Sequence, residues 1–353
     1  MSTAILHNRT RQSASLTGKL RRQGRWLEIP LLHILRQSDL AREGLENSGS
    51  YRFADHIYRN QPSGRGAIGT LLDRALMALP AVRSFRNRHL AARDELVKFL
   101  VDRAGSSEGV DVLSVPCGLP RELADAAHIA SRLSPGCLEN VRFHGLDLDE
   151  RVLSDAADFA ASNNLPRFSV HHGNALDHTS YPLRADFITC TGLAEFLDDV
   201  QLGTLYGIFR DVLKPGGRLF TTGMRRLSLS DYLLELAELH THYRSPSELE
   251  QLARSAGFTS VEVRFDELKI QSLMVAGHAP RMDQACSRKN SSIAGRATRH
   301  HSITQRDVFS DSSRKMILRS RNLAIVWAFV TVWLVGQAEM NSPPPARAKG
   351  MSS

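Results

Sequence analysis

The stretch DVLSVPCGLPRELADAA, residues 111–127, decides the fold of this 353-residue chain. It begins with an apolar run, passes through a short turn around Pro116, Cys117 and Gly118, and continues with residues that favour a helix. A strand, a tight turn and a helix in this order place backbone N–H groups at the carboxyl edge of a sheet, where open α/β folds bind ligands. We therefore expect the segment from Ser114 to Gly118 to lie in a binding crevice.

Alternating strands and helices continue towards the C-terminus. Strands are predicted at Val110–Val115, Val141–Leu146, Arg167–Val170, Asp186–Cys190, Arg218–Thr222, Val261–Phe265 and Ile270–Ala276, and helices at about 121–133, 150–163, 199–213, 229–241 and 246–256. Helix-length connections indicate parallel strands, but only residues 266–269 separate the last two, which predicts an antiparallel hairpin. The predicted fold class is α/β: a doubly wound, mostly parallel seven-stranded sheet with a C-terminal antiparallel hairpin and an N-terminal helical cap.

The segments outside this sheet differ in composition. Residues 1–25 are polar and basic and are predicted to be a disordered arm, while residues 26–108 are predicted to be the helical cap. Within the cap, helices are expected from Ile68 to Leu79 and from Ala81 to Ala104, after a loop-rich stretch at 46–66. The main domain is assigned to 109–279, followed by a polar linker at 280–321, an apolar segment at 322–340 and a disordered end at 341–353.

The net charge of +8 belongs to the two ends of the chain, because the stretch 37–280 is net acidic. A domain that modifies nucleic acid is expected to have a basic surface, so this distribution argues against a nucleic-acid substrate. The four cysteines are widely spaced and form no metal-ligand pattern, so we expect no metal site and a reduced, cytoplasmic location.

The segment Leu323–Gly336 contains no charged residue and follows a basic stretch. It is shorter than the roughly 20 apolar residues that span a bilayer, although the basic flank is typical of the cytosolic side of a membrane. Two interpretations stay open: association with the inner face of the membrane, or a segment that is buried or faces a partner.

Four further segments carry polar or small residues where a predicted strand or helix ends. These are GLDLDE with Asp147 and Leu148, HHGNALD with Asn174 and Ala175, TCTGLAEF with Thr191, Gly192 and Glu195, and LKPGG at 213–217. His171 and His172 are adjacent, so within a strand their side chains would point to opposite faces. Asp149 is expected to cap the helix that begins near residue 150.

Taken in order, these five segments resemble the motifs of class I S-adenosylmethionine-dependent methyltransferases, in an uncharacterised bacterial branch. The resemblance implies S-adenosylmethionine as the cofactor, with Asp147 accepting hydrogen bonds from the ribose hydroxyls and Asn174 and Ala175 at the adenine. It further implies Ser114, Pro116, Cys117, Gly118 and Leu148 in cofactor binding, and Thr191 and Gly192 beside the methionine portion. The chain departs from the motif at Ser114, where an acid is usual, and at Pro116 and Pro120, which replace glycines.

The predicted function is methyl transfer to a small-molecule or lipid-like acceptor, with a carboxylate or a hydroxyl as the acceptor group. A carboxylate needs no base, whereas a hydroxyl does. The candidates for that catalytic role are His240, His242, Tyr243 and Glu195.

Two alternatives remain at this stage. The departures in the first motif leave open an inactive methyltransferase fold that serves as a binding module. An NAD(P)-dependent oxidoreductase would share the first turn and the acid, but Pro116 and Pro120 violate its glycine pattern.

Overall fold

The computed structural model of the chain describes residues 13–22, 24, 26, 28–46, 50–105, 108–225 and 241–277. These residues belong to one of two compact units, made of 1–227 and 233–287, and the other unit (228–232 and 288–353) lies outside the described residues.

A seven-stranded sheet forms the centre of the described unit. Its strands are β1 (Val110–Ser114), β2 (Val141–Asp147), β3 (Phe168–His172), β4 (Ala185–Cys190), β5 (Leu213–Met224), β6 (Ser260–Phe265) and β7 (Gln271–Gly277), in the order β3-β2-β1-β4-β5-β7-β6. Strands β1 to β5 run parallel, and β7 is antiparallel to both β5 and β6. The predicted sheet and hairpin are therefore confirmed.

Helices cover both faces of this sheet. They are α6 (Pro80–Asp102), α7 (Arg121–Leu133) and α8 (Glu150–Ser162) on one face, and α9 (Asp199–Val212) and α10 (Pro246–Ser255) on the other. One apolar core joins Leu96 and Phe99 of α6 to Val112 and Phe187 of the sheet. The second joins Leu113 and Ile188 to Phe209 and Leu249. Because α6 belongs to the first core, the last helix of the predicted cap is part of the sheet's own packing.

The rest of the cap contains more helix than predicted. Helices α1 (Ser13–Arg22), α2 (Glu28–Leu35), α3 (Asp39–Glu46), α4 (Tyr51–Arg59) and α5 (Gly66–Met77) precede α6. Helix α4 lies in the stretch predicted to be loop-rich. It forms because the Ser50 hydroxyl accepts a hydrogen bond from the Phe53 N–H, because Asn60 ends it in the left-handed conformation, and because Ile57 is buried.

Helix α1 corrects the prediction that the whole of 1–25 is a disordered arm. Leu20, 1% exposed, anchors it, and most of its last turn consists of good helix formers. Several predictions concern residues outside the described ranges. These are the candidate base His240, the linker at 280–321, the apolar segment at 322–340, the end at 341–353 and all but the last residue of the predicted helix at 229–241. Among the helices that are described, none is long and apolar enough to cross a membrane.

Candidate active site at the carboxyl edge of the sheet

The turn after β1 contacts the end of β2 directly. The Cys117 N–H donates to the Leu146 carbonyl oxygen at 2.9 Å, and the Gly118 N–H donates to Asp147 Oδ2 at 3.2 Å. Gly118 has a φ of 49°, which a residue without a side chain adopts most easily. The first two predicted motifs are thus joined by a backbone-to-carboxylate hydrogen bond, with Pro116 exposed beside them.

Asp147 lies at the centre of this edge. Besides Gly118, its other oxygen accepts the Asp149 N–H at 3.2 Å. Each carboxylate oxygen has two lone-pair directions, so both oxygens can accept one more hydrogen bond. Burial raises the pKa of the Asp147 carboxyl, and the backbone donors oppose that shift only in part. The neighbouring Asp149 caps α8 by accepting the Arg151 N–H at 2.9 Å.

Ser114 is engaged inside the protein, where it bonds a second acid. Its hydroxyl donates to Glu122 Oε1 at 2.9 Å, and both residues are buried. Burial raises the pKa of the Glu122 carboxyl. Cys117 lies close enough to both Glu122 and Asp147 that their charges, added to burial, raise the pKa of its thiol. A carboxylate from α7 therefore occupies the neighbourhood of the strand end where the motif lacks one.

The turn after β3 is held against β2. The Gly173 N–H donates to the Asp147 carbonyl oxygen at 3.0 Å, and His172 Nε2 lies 3.0 Å from the Leu148 carbonyl oxygen. The Asn174 side-chain oxygen accepts the Leu176 N–H at 3.0 Å, which shapes the turn around Ala175. The turns that carry Gly118, Asp147 and Asn174 are therefore neighbours at one edge.

The end of β4 meets the cap. Gly192 has a φ of 85°, and its N–H lies 3.4 Å from Thr222 Oγ1, while Thr191 before it is half-buried. A Cβ atom at Gly192 would lie only 3.0 Å from Arg88 Nη2 of α6. Any larger residue at 192 would therefore displace the arginine.

Arg88 and Glu195 form a buried ion pair beside Gly192. Arg88 Nη1 lies 3.2 Å from each Glu195 carboxylate oxygen, and the two residues are 4% and 3% exposed. Arg88 Nε also donates to the Tyr58 hydroxyl at 3.3 Å, and its guanidinium lies over the Phe85 ring. Burial raises the pKa of the Glu195 carboxyl, and Arg88 acts in the opposite direction.

The other candidates for a base lie near Glu195. The His242 N–H donates to the Glu195 carbonyl oxygen at 2.8 Å, and the imidazole is exposed. Tyr243 is half-buried next to it. Arg244 fixes this segment, because its guanidinium donates to the Ala194 and Leu197 carbonyl oxygens at 2.7 and 2.6 Å. His242, Tyr243 and Glu195 are therefore brought to one place.

Helix α4 lies over the first turn. A Cβ at Gly118 would be 3.3 Å from the Tyr51 Cβ. The Tyr51 hydroxyl bonds Asp155 of α8, and Asp55 pairs with Arg121 of α7. A cavity of about 580 Å³ opens between α4 and α8 with Leu119 in its wall. The cap thus reaches the carboxyl edge of the sheet at two places, the β1 turn and the β4 end.

Sequence reasoning did not identify Glu122 and Tyr51 as site residues. Glu122 is two residues past Pro120, in the first turn of α7, and the unusual Ser114 is the one signal that an acid had to come from elsewhere. Tyr51 follows Ser50, and a serine at this position is a sequence signal for the start of a helix.

A family model described as "Putative methyltransferase" matches residues 36–278, which is more than half of the chain. The chain belongs to this methyltransferase family. The match begins within the cap, so α3 to α6 are part of the family's domain. Together with the strand order, it confirms the predicted class I fold and S-adenosylmethionine as the cofactor. The alternative of an NAD(P)-dependent oxidoreductase is wrong. The sheet of a dinucleotide-binding fold has no antiparallel strand inserted between its last two strands, whereas in this chain the antiparallel β7 lies between β5 and β6.

Individual proteins similar to this methyltransferase extend the comparison. A possible exported protein from Bordetella parapertussis has a crystal structure that matches 76% of this chain and 97% of its own, with a TM-score of 0.63 and 26% identity. An O-methyltransferase family protein from Burkholderia thailandensis matches 74% of this chain and 70% of its own, with a TM-score of 0.45 and 16% identity.

The protein YnbC of Escherichia coli K12, described as uncharacterized, is 23% identical over 234 residues, which are 63% of this chain. They are 39% of YnbC, so the chain spans about two fifths of the length of that curated relative.

Proposed function

We propose that this methyltransferase transfers a methyl group from S-adenosylmethionine to a small-molecule acceptor at the carboxyl edge of β1, β2 and β4. The observation that carries the proposal is the contact between the Gly118 N–H and Asp147, which joins the two cofactor motifs while leaving acceptor capacity on the carboxylate. When bound, the cofactor supplies an electrophilic methyl group on a sulfonium.

The residues at this edge fit the adenosyl half of the cofactor. The free lone pairs of Asp147 suit a vicinal diol. The Gly173 hydrogen bond holds the turn with Asn174 and Ala175 beside Asp147 and Leu148. These residues offer an apolar side chain and backbone groups to the adenine ring. Gly118 leaves room below Tyr51 that a side chain would fill.

The charge at this edge also fits a cationic ligand. Neither Asp147 nor Glu122 has a lysine or arginine partner within the described residues, and burial raises the pKa of both carboxyls. Buried carboxylates are costly unless they are paired. We assign Asp147 to the ribose and Glu122 to the ammonium group of the methionine portion, with Ser114 holding Glu122 in place.

The acceptor is assigned to the region of Thr191, Gly192 and Glu195. Glu195 is the candidate base for a hydroxyl acceptor, since burial favours its taking up a proton, and His242 and Tyr243 are the alternatives close to it. A carboxylate acceptor would need no base, and Arg88 would then be the more important residue of the Arg88–Glu195 pair because of its positive charge. A lipid-like acceptor and contact with a membrane remain predictions from the sequence.

Titration calorimetry with S-adenosylhomocysteine tests the proposal on the full chain. We expect saturable binding of one equivalent, no binding of NADH, and a loss of about 30-fold in affinity in Asp147→Asn. An amide retains one acceptor but places a donor against the Gly118 N–H or the ribose, which costs about 2 kcal/mol. Asp149→Asn is the matched control, because Asp149 is exposed and caps α8.

Two outcomes would overturn the proposal in different ways. If the unaltered chain binds no S-adenosylhomocysteine, the chain is a methyltransferase fold without its cofactor, and the binding-module alternative replaces this function. If it binds but Asp147→Asn and Asp149→Asn bind equally well, the cofactor lies elsewhere than at the β2 end.

A further inference from the structure

Three polar side chains form a cluster on one face of β2 and β3. They are His144, Ser169 and His171. His144 is the register partner of Ser169, and His171 lies two residues further along the edge strand β3. Side chains of paired residues in neighbouring strands share a face, and residues two apart in a strand do so too. The fold therefore brings all three to one place.

Two of the three distances within this cluster equal the separation of two ligands on one metal ion. His144 Nδ1 lies 3.3 Å from His171 Nε2, and Ser169 Oγ lies 2.8 and 3.4 Å from these two nitrogens. Imidazole nitrogens bind zinc at about 2.0–2.1 Å in tetrahedral geometry, which places two of them about 3.3 Å apart. The separation of the two nitrogens matches this value, as does that of Ser169 Oγ from His171 Nε2, while Ser169 Oγ lies at hydrogen-bond distance from His144 Nδ1.

A carboxylate orients the inner imidazole. Asp111 Oδ1 lies 3.2 Å from His144 Nε2. A proton on Nε2 directed at this carboxylate leaves a lone pair on Nδ1, which is the nitrogen that faces His171. Metal-binding histidines commonly have such a carboxylate behind them, because it fixes the tautomer and strengthens the ligand.

The charged groups around the cluster balance one another. Asp111 and Asp186 are balanced by Arg142 and Lys214, which contact Asp111 on its other sides. Imidazole ligands in a site of balanced charge favour zinc, nickel or copper over calcium or magnesium, which prefer oxygen ligands.

We propose that His144 and His171 bind a transition-metal ion of the zinc type, with the Ser169 hydroxyl beside it and water completing the coordination. The ion would join edge strand β3 to β2, and β3 leads into the turn at Gly173. Within the described residues no group of three His, Cys, Asp or Glu could hold a metal, so an ion at this cluster would have two protein nitrogens and would need water at its other positions. It is expected to bind less tightly than a closed structural zinc site.

Calorimetry with Zn²⁺ on EDTA-treated full chain, and visible absorption with Co²⁺, test this proposal. We expect one equivalent of Zn²⁺ whose affinity falls about tenfold or more in His171→Ala and in His144→Gln, and a tetrahedral Co²⁺ spectrum that both changes abolish. His172→Ala is the matched control, because the neighbouring imidazole points to the opposite face and contacts the Leu148 carbonyl oxygen. It should bind Zn²⁺ as the unaltered chain does.

His171→Ala decides the test if His144→Gln proves unstable, because His171 is less buried than His144. Circular dichroism establishes that each variant is folded. No Zn²⁺ binding, or equal binding in His171→Ala and His172→Ala, would show that the cluster is a hydrogen-bond chain alone and would overturn the proposal. The result does not depend on whether the chain binds S-adenosylhomocysteine.

Discussion

The two ends of this sheet treat buried acids in opposite ways. At the amino end, Asp111 bonds Arg142, Lys214 and His144, and these partners hold the pKa of its carboxyl well below the ordinary range. At the carboxyl end, Asp147 and Glu122 receive only N–H and O–H donors, and burial raises the pKa of both. The difference separates an acid that bonds cations within the sheet from the two acids that we propose as ligand contacts.

The largest effect on folding is expected from Asp111→Ala. Removing this carboxylate leaves Arg142 and His144 without their acceptor, while Lys214 keeps Asp186 at 2.6 Å. Removing one partner of a buried pair costs about 3–5 kcal/mol. Both cationic partners reach solvent, so we expect about 2–3 kcal/mol in the free energy of unfolding, measured with urea in the presence of EDTA.

Asp211→Ala is the control for that loss. Asp211 pairs with Arg210 on the surface of α9, and its removal should cost no more than about 0.5 kcal/mol. Equal losses in the two variants would mean that the amino-end network does not stabilise the sheet.

Glu122→Gln should act on the ligand rather than on the fold. We expect S-adenosylhomocysteine to bind about tenfold more weakly, the equivalent of about 1.4 kcal/mol, because the ammonium loses a charged acceptor. The affinity for 5′-methylthioadenosine, which has no amino-acid portion, should not change. Asp125→Asn, in the same helix but paired with His89, should leave both affinities unchanged. An equal loss for the two ligands would show that Glu122 shapes the site and does not contact the ammonium.

The smallest effect concerns the pH dependence of the ligand-free chain. The folded pKa of Asp147 is raised, so its ionised form lowers stability at neutral pH, and that penalty disappears as the pH falls through the folded value. Asp111 has the opposite sign: its contribution is complete above the unfolded value of about 3.9 and is lost below it. As the pH is lowered from 7 to about 4, the free energy of unfolding of the unaltered chain should therefore rise relative to that of Asp147→Asn. If the difference in unfolding free energy between the two chains did not change with pH, ionisation of Asp147 would not destabilise the folded chain.

The sequence predicts the sheet better than the site, for a physical reason. Apolar strands such as Val141–Asp147 and the Pro-Gly-Gly turn before the core of β5 are local signals, and helix α7 occurs at the predicted residues. The contact of Arg88 with Glu195 joins residues 107 apart, and that of Tyr51 with Asp155 joins residues 104 apart. Neither has a periodic pattern. Asp147 is predicted from the sequence because it ends a strand, whereas Glu122 has no such signal because its proposed role depends on the side chain of Ser114.

The contact between Gly192 and Arg88 couples the cap to the sheet. The absent side chain at 192 leaves a space that a guanidinium from α6 fills, and this guanidinium neutralises Glu195. A replacement of α6 that removed Arg88 would leave the Glu195 carboxylate buried without its charged partner. We therefore expect that α6 can be exchanged between proteins only together with residue 195.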